Sequence, residues 1–172
     1  MGSQLTINDE CLAPEKYVYV KYKGPDSWAV SEAIASSLKP YFHVSTSGLC
    51  ETRLNWDLSG NPITWYNTWW VKKDVTKYTR LWFFILTQGH KDKATGEGEF
   101  SLRINGEVRT EFAGWGIFLK PVWYLYSYLL YDRLRQKQIQ RCRSMIDQFR
   151  NLIKERFNLA ATKAPSVGGV YG

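Results

Sequence analysis

The chain has 172 residues and a net charge of +7, and a chain of this length is expected to form one domain with a single core. Its first twenty residues have no apolar run, which argues against a signal peptide, and Lys120 and Pro121 interrupt the most apolar stretch, which argues against a membrane span. Cys11, Cys50 and Cys142 lie far apart and have no histidine at ligand spacing. They predict reduced thiols in a soluble, cytoplasmic chain and no metal site.

The N-terminal part predicts an arm, a strand and a helix. Residues 1–15 are mixed in character and predict an irregular arm, followed by one domain over 16–158. Residues 17–23 are β-branched and aromatic, which predicts the first strand. Asp26 or Ser27 is a candidate cap for the short helix that follows. Its apolar positions are Val30, Ile34, Leu38 and Tyr41, and Pro40 is expected to end it.

A run of strands follows. Residues 49–58 alternate between apolar and polar side chains and predict a half-buried strand, and 63–73 predicts its return after a Gly-Asn-Pro turn. Residues 78–87 are apolar on both alternations, which is typical of a central strand covered on both faces.

A polar loop is predicted over 88–98, and a hairpin is predicted after it. A three-residue loop at Ile104, Asn105 and Gly106 places Leu102 opposite Val108, so that apolar side chains share one face. On this polar alternation, Glu97, Glu99, Glu107 and Glu111 are interpreted as partners of Arg103 and Arg109 in ion pairs.

A long helix is predicted over 121–157, with Pro121 in its first turn and a small, glycine-rich, disordered tail over 159–172. A break near 136–140 remains open. The second half carries an apolar stripe: Ile139, Cys142, Ile146, Phe149 and Ile153.

The charge is concentrated on this helix. Residues 132–156 contain eight basic and three acidic side chains, a net charge of +5 out of the total of +7. The candidate anion-binding residues are Arg133, Lys137, Arg141, Arg143, Arg150 and Lys154. A solvated outer face, a surface for nucleic-acid phosphates and a surface for acidic lipid headgroups all fit this pattern. Arginine outnumbers lysine, which favours phosphate.

The predicted fold class is α+β, with an antiparallel sheet of about six strands packed on the long C-terminal helix and one short N-terminal helix. This element order resembles the helix-grip fold of the START-like superfamily. The resemblance implies a sheet curled around the last helix and a cavity for a hydrophobic ligand. The aromatic side chains available to line such a cavity are Trp56, Trp82, Phe84 and Trp123.

No catalytic arrangement is present in the sequence. His43 and His90 lie far apart and have no partner at a recognisable spacing, and no cofactor motif is found. We therefore expect a non-enzymatic binding protein without a cofactor, which engages nucleic acid or a ribonucleoprotein through its basic helix. The alternatives are a lipid or small-ligand carrier and an assembly protein that forms oligomers through the apolar stripe.

Overall fold

A computed structural model describes residues 5–112, 125 and 132–157. Strands β1 (Leu5–Glu10) and β2 (Val18–Pro25) precede helix α1 (Ser27–Phe42) and a short 3-10 turn (Thr46–Gly48). Strands β3 (Leu49–Asp57), β4 (Ile63–Asp74), β5 (Thr79–Lys91) and β6 (Glu97–Phe112) follow, and the C-terminal helix α2 covers Asp132–Arg156.

The six strands form one antiparallel sheet. Strand β6 pairs with β5 along one edge, and β4 and β3 continue the sheet beyond β5. On its other edge β6 is long enough to pair with two strands, β1 along its second half and β2 along its first half. The predicted α+β class, with an antiparallel sheet and a C-terminal helix, is confirmed.

Both helices pack on the same face of the sheet, which we call the inner face. Phe42 of α1 contacts Phe83 of β5 and Phe149 of α2, with ring centroids 4.5 and 5.4 Å apart. Alternate side chains of the strands, such as Leu81 and Ile104, are fully buried beneath the helices. The opposite, outer face has no helix over it among the described residues.

The hairpin predicted around Ile104, Asn105 and Gly106 was wrong, because Glu97–Phe112 is one continuous strand. At Gly106, side chains of α2 lie close to the backbone of the sheet. A Cβ added there would lie 2.7 Å from Cδ1 of Ile146 and 2.8 Å from Sγ of Cys142. The glycine of the Asn105-Gly106 pair therefore allows α2 to pack closely on the strand, and the pair does not form a turn.

The N-terminal arm was also predicted incorrectly in part. Residues 5–10 form β1 instead of an irregular segment, and the residue after it, Cys11, is disulfide-bonded to Cys142 of α2. The prediction of reduced thiols was therefore wrong for these two residues, whose Cα atoms lie 5.8 Å apart. Cys50 is free and partly exposed. The pairing has no local sequence signal, since the partners are separated by 131 positions.

The structure corrects the ends of α1. Asp26 makes no side-chain cap hydrogen bond, and Ser27 is buried and donates its hydroxyl to the carbonyl oxygen of His90 at 2.9 Å. Pro40 lies inside the last turn. The helix ends at Phe42, where His43 takes a left-handed conformation and its N–H donates to the carbonyl oxygen of Lys39.

The polar loop predicted over 88–98 is shorter than expected, because β5 runs to Lys91 and β6 begins at Glu97. His90 is therefore a strand residue. Strand β3 forms where predicted but is more exposed than predicted: it is the edge strand, and Leu54 and Trp56 are 55% and 39% exposed. A regular alternation thus identified a strand without showing how well its faces are covered.

Candidate functional site

Helix α2 is held on the inner face by its apolar stripe. Cys142, Ile146, Phe149 and Ile153 are fully buried, and the hydroxyl of Tyr41 donates to the carbonyl oxygen of Met145 at 2.8 Å. The helix runs without a break through residues 136–140. The stripe that we considered for contact with a second copy is therefore used within the chain.

The side of α2 that faces away from the sheet is basic. Arg133, Lys137, Arg141 and Arg143 are exposed, and none of them forms an ion pair with another described residue. We call these four residues the basic face. The first and last of them are ten residues apart, or about 15 Å along a helix that rises 1.5 Å per residue.

The other two predicted anion-binding residues differ from these four. Arg150 is partly buried, and its guanidinium lies 3.3 Å from a carboxylate oxygen of Asp147. Its Nε also donates to the side-chain oxygen of Asn151. Lys154 is partly buried near the end of the helix. The structure therefore leaves four of the six predicted residues exposed on the outward side of α2. Arg133, Lys137 and Arg141 follow one ridge, and Arg143 lies on the other flank of that side, because residues two apart on a helix do not face each other.

Arg135 has a structural role that the sequence did not indicate. Its Nε donates to Oδ2 of Asp9 at 2.6 Å, and a second guanidinium nitrogen donates to Oδ1 of the same carboxylate. The Asp9 side chain is only 9% exposed, so this two-bond pair links α2 to β1 across a partly dry interface. Arg135 therefore has a role in holding the fold together.

The basic surface continues from α2 towards the end of β4. Lys73 is partly buried and donates to the carbonyl oxygen of Phe42 at 2.5 Å. Burial lowers the pKa of Lys73, and the nearby positive charge of Arg141 lowers it further. A polar recess of about 230 Å³ lies beside it and is lined in part by His43, Ser45 and Lys72. An anion near Arg141 would oppose this repulsion.

The described residues considered for an aromatic cavity lie on opposite faces of the sheet, Trp56 on one and Trp82 and Phe84 on the other. Trp56 lies on the helix side of the sheet, where it contacts Trp28 with ring centroids 3.9 Å apart. Trp82 and Phe84 lie on the outer face, with centroids 6.5 Å apart. Trp123 falls outside the described residues.

The described residues contain no group of three or more His, Cys, Asp or Glu side chains that could hold a metal ion. Of the helices described, none is both long and apolar enough to cross a membrane.

No family model matches the chain, and no curated protein matches it. Among solved structures, it is similar to the Mll3558 protein from Rhizobium loti at 10% identity, over 86% of this chain and 99% of that one. The TM-score is 0.18, so neither fold nor function follows from this likeness.

Proposed function

We propose that this chain is a non-enzymatic binding protein that holds nucleic acid by its phosphate backbone through the basic face of α2. The observation that carries the proposal is that Arg133, Lys137, Arg141 and Arg143 are exposed together and lack carboxylate partners among the described residues. A helix face charged only for solubility usually mixes both signs.

The geometry suits a polyanion better than a single small anion. The cations are spread along about 15 Å of helix, so they reach several phosphates and do not converge on one point. Each phosphate neutralised releases condensed counterions, which gives affinity that depends strongly on salt and weakly on base sequence. The buried stripe and the disulfide fix the helix, so little conformational freedom is lost on binding beyond that of the basic side chains themselves.

The disulfide bears on the compartment in which the proposed binding takes place. Disulfides are rare in cytosolic proteins, except in hyperthermophiles, and the Cys11–Cys142 bond therefore does not favour the predicted cytoplasmic location. The proposed binding therefore takes place in an oxidising compartment, or in a hyperthermophile, where the disulfide persists.

Changing Arg133, Lys137 and Arg141 together to Gln is expected to weaken binding of a fluorescein-labelled 20-nucleotide DNA strand at least tenfold at 50 mM salt. The slope of log affinity against log salt should also fall by about 2, because each single-strand phosphate contact contributes roughly 0.7. Fluorescence anisotropy measures both quantities. Exposed side chains of this kind change the free energy of unfolding by less than about 1 kcal/mol.

The matched control is the variant in which Lys16, Lys21 and Lys93 are changed to Gln. These lysines are exposed on other elements, and the net charge changes by the same amount. If both triple variants lose affinity equally, binding reflects net charge and the basic face is not the site. Binding to vesicles of anionic phospholipid without binding to DNA would also overturn the proposal in favour of a membrane surface.

A further inference from the structure

The outer face of the sheet contains a recess of about 570 Å³, well away from the basic face of α2. Its walls are largely apolar and aromatic, and they are formed by Trp70 of β4, Phe84 and Leu86 of β5, and Tyr17, which directly precedes β2. Sites for small molecules typically have volumes of 300–1,000 Å³, apolar walls and a few polar groups that fix orientation. This recess has the size and lining of such a site.

One cation in the recess, Arg103, has no counter-ion among the residues that the structure describes. Arg103 lies against the rings of Tyr17 and Tyr19, with its guanidinium carbon 5.1 and 5.3 Å from their centroids. Its Nε is inaccessible to solvent and has no hydrogen-bond partner, and no carboxylate among the described residues pairs with it. A partly desolvated guanidinium without an anion is unfavourable, so an added carboxylate would be strongly attracted.

The acidic neighbours are already paired. Glu107 also lines the recess, but it accepts hydrogen bonds from Arg109 at 2.9 and 3.1 Å. On the same face Glu111 accepts from Arg80 at 2.6 Å. Sequence analysis predicted ion pairs for both Arg103 and Arg109, and the structure forms only the second. The carboxylate that would complete Arg103 is therefore not supplied by β6.

We propose that the outer recess binds a small planar aromatic carboxylate, with the acid on Arg103 and the ring system between Trp70, Phe84 and Leu86. Arginine pairs with carboxylates through two parallel hydrogen bonds, and contact with the rings of Tyr17 and Tyr19 already restrains the Arg103 guanidinium. Aromatic walls favour a flat ring over a flexible chain, because a rigid body loses less conformational entropy on binding. This site is independent of the proposed nucleic-acid surface.

The test uses 2-naphthoate and its uncharged analogue 2-naphthamide, titrated into the full chain with tryptophan fluorescence and calorimetry as readouts. We expect saturable 1:1 binding of the acid, at least tenfold tighter than the amide. Arg103→Gln should remove that preference and leave the weak binding of the amide unchanged. Arg103→Lys should retain part of the preference for the acid, because a lysine keeps the positive charge but lacks the planar guanidinium that donates two parallel hydrogen bonds.

The control is Arg80→Gln, which removes a cation from the same face that does not line the recess. It should leave the preference intact, and thermal unfolding checks that each variant is folded. Equal affinity of the acid and the amide in the unmodified chain would overturn the proposal, whatever the variants do. Tighter binding of dodecanoate than of 2-naphthoate would overturn the aromatic assignment in favour of an alkyl chain. A labelled DNA strand should not displace 2-naphthoate, and displacement would contradict the separation of the two sites.

Discussion

Reduction of the Cys11–Cys142 disulfide is expected to lower the free energy of unfolding by about 3–5 kcal/mol. The bond joins residues 131 positions apart, so breaking it releases a long closed loop and raises the entropy of the unfolded chain. It also ties α2 to the segment that follows β1, over the middle of β6. Urea denaturation with and without reductant measures the difference.

Two variants separate this effect from other actions of the reductant. Cys11→Ala/Cys142→Ala should reproduce the loss without reductant, and reductant should then have no further effect. Cys50→Ala should leave the loss on reduction unchanged, because Cys50 is not in the disulfide. If the reduced protein unfolds at the same urea concentration as the oxidised protein, the bond does not cross-link the native fold as described.

Phe149→Ala is expected to lower the free energy of unfolding by about 3–5 kcal/mol. The ring is fully buried and packs against α1, with centroids 4.9 Å from Tyr41 and 5.4 Å from Phe42. Truncation leaves a cavity that close-packed neighbours fill only in part. The midpoint of urea denaturation should fall while the slope stays the same.

Leu152→Ala is the matched control on the same helix. Its side chain is 37% exposed, so its loss should cost much less than that of Phe149. Similar losses for the two variants would contradict the orientation of α2, which depends on the stripe from Cys142 to Ile153 facing inward. That orientation is also what exposes the basic face.

The parts of the fold that the sequence predicted well are those in which the pattern alone determines the element. The alternation in 63–73 and the apolar centre of 78–87 predicted β4 and β5, and the stripe on α2 predicted its buried face. The Asn105-Gly106 pair led to a wrong prediction of a hairpin. A glycine that allows a helix to pack closely on a strand can have the same local sequence as a hairpin turn. Only the tertiary contact distinguishes them.

The candidate site was predictable as a concentration of charge but not residue by residue. Helical spacing put Arg133, Lys137 and Arg141 on one ridge, and all three are exposed. The pair between Arg150 and Asp147 is local, because the two residues lie three positions apart on the same helix. Nothing local indicated that Arg135 would pair with Asp9, or that Arg103 would have no carboxylate partner among the described residues. These outcomes depend on which distant segments meet, which periodicity does not encode.

The central claim is that the basic face contacts nucleic acid, and an NMR titration of the isotopically labelled chain with a short DNA strand tests it most directly. The account predicts that the largest amide and arginine Nε shifts fall at Arg133, Lys137, Arg141 and Arg143, and that they shrink as salt screens the contacts. The pKa of Lys73 is lowered by burial and then by repulsion from Arg141, and phosphate near Arg141 offsets the repulsion, so the Lys73 ammonium should also become harder to deprotonate. Shifts confined to the outer face of the sheet, or no shifts at 20 mM salt, would contradict the claim.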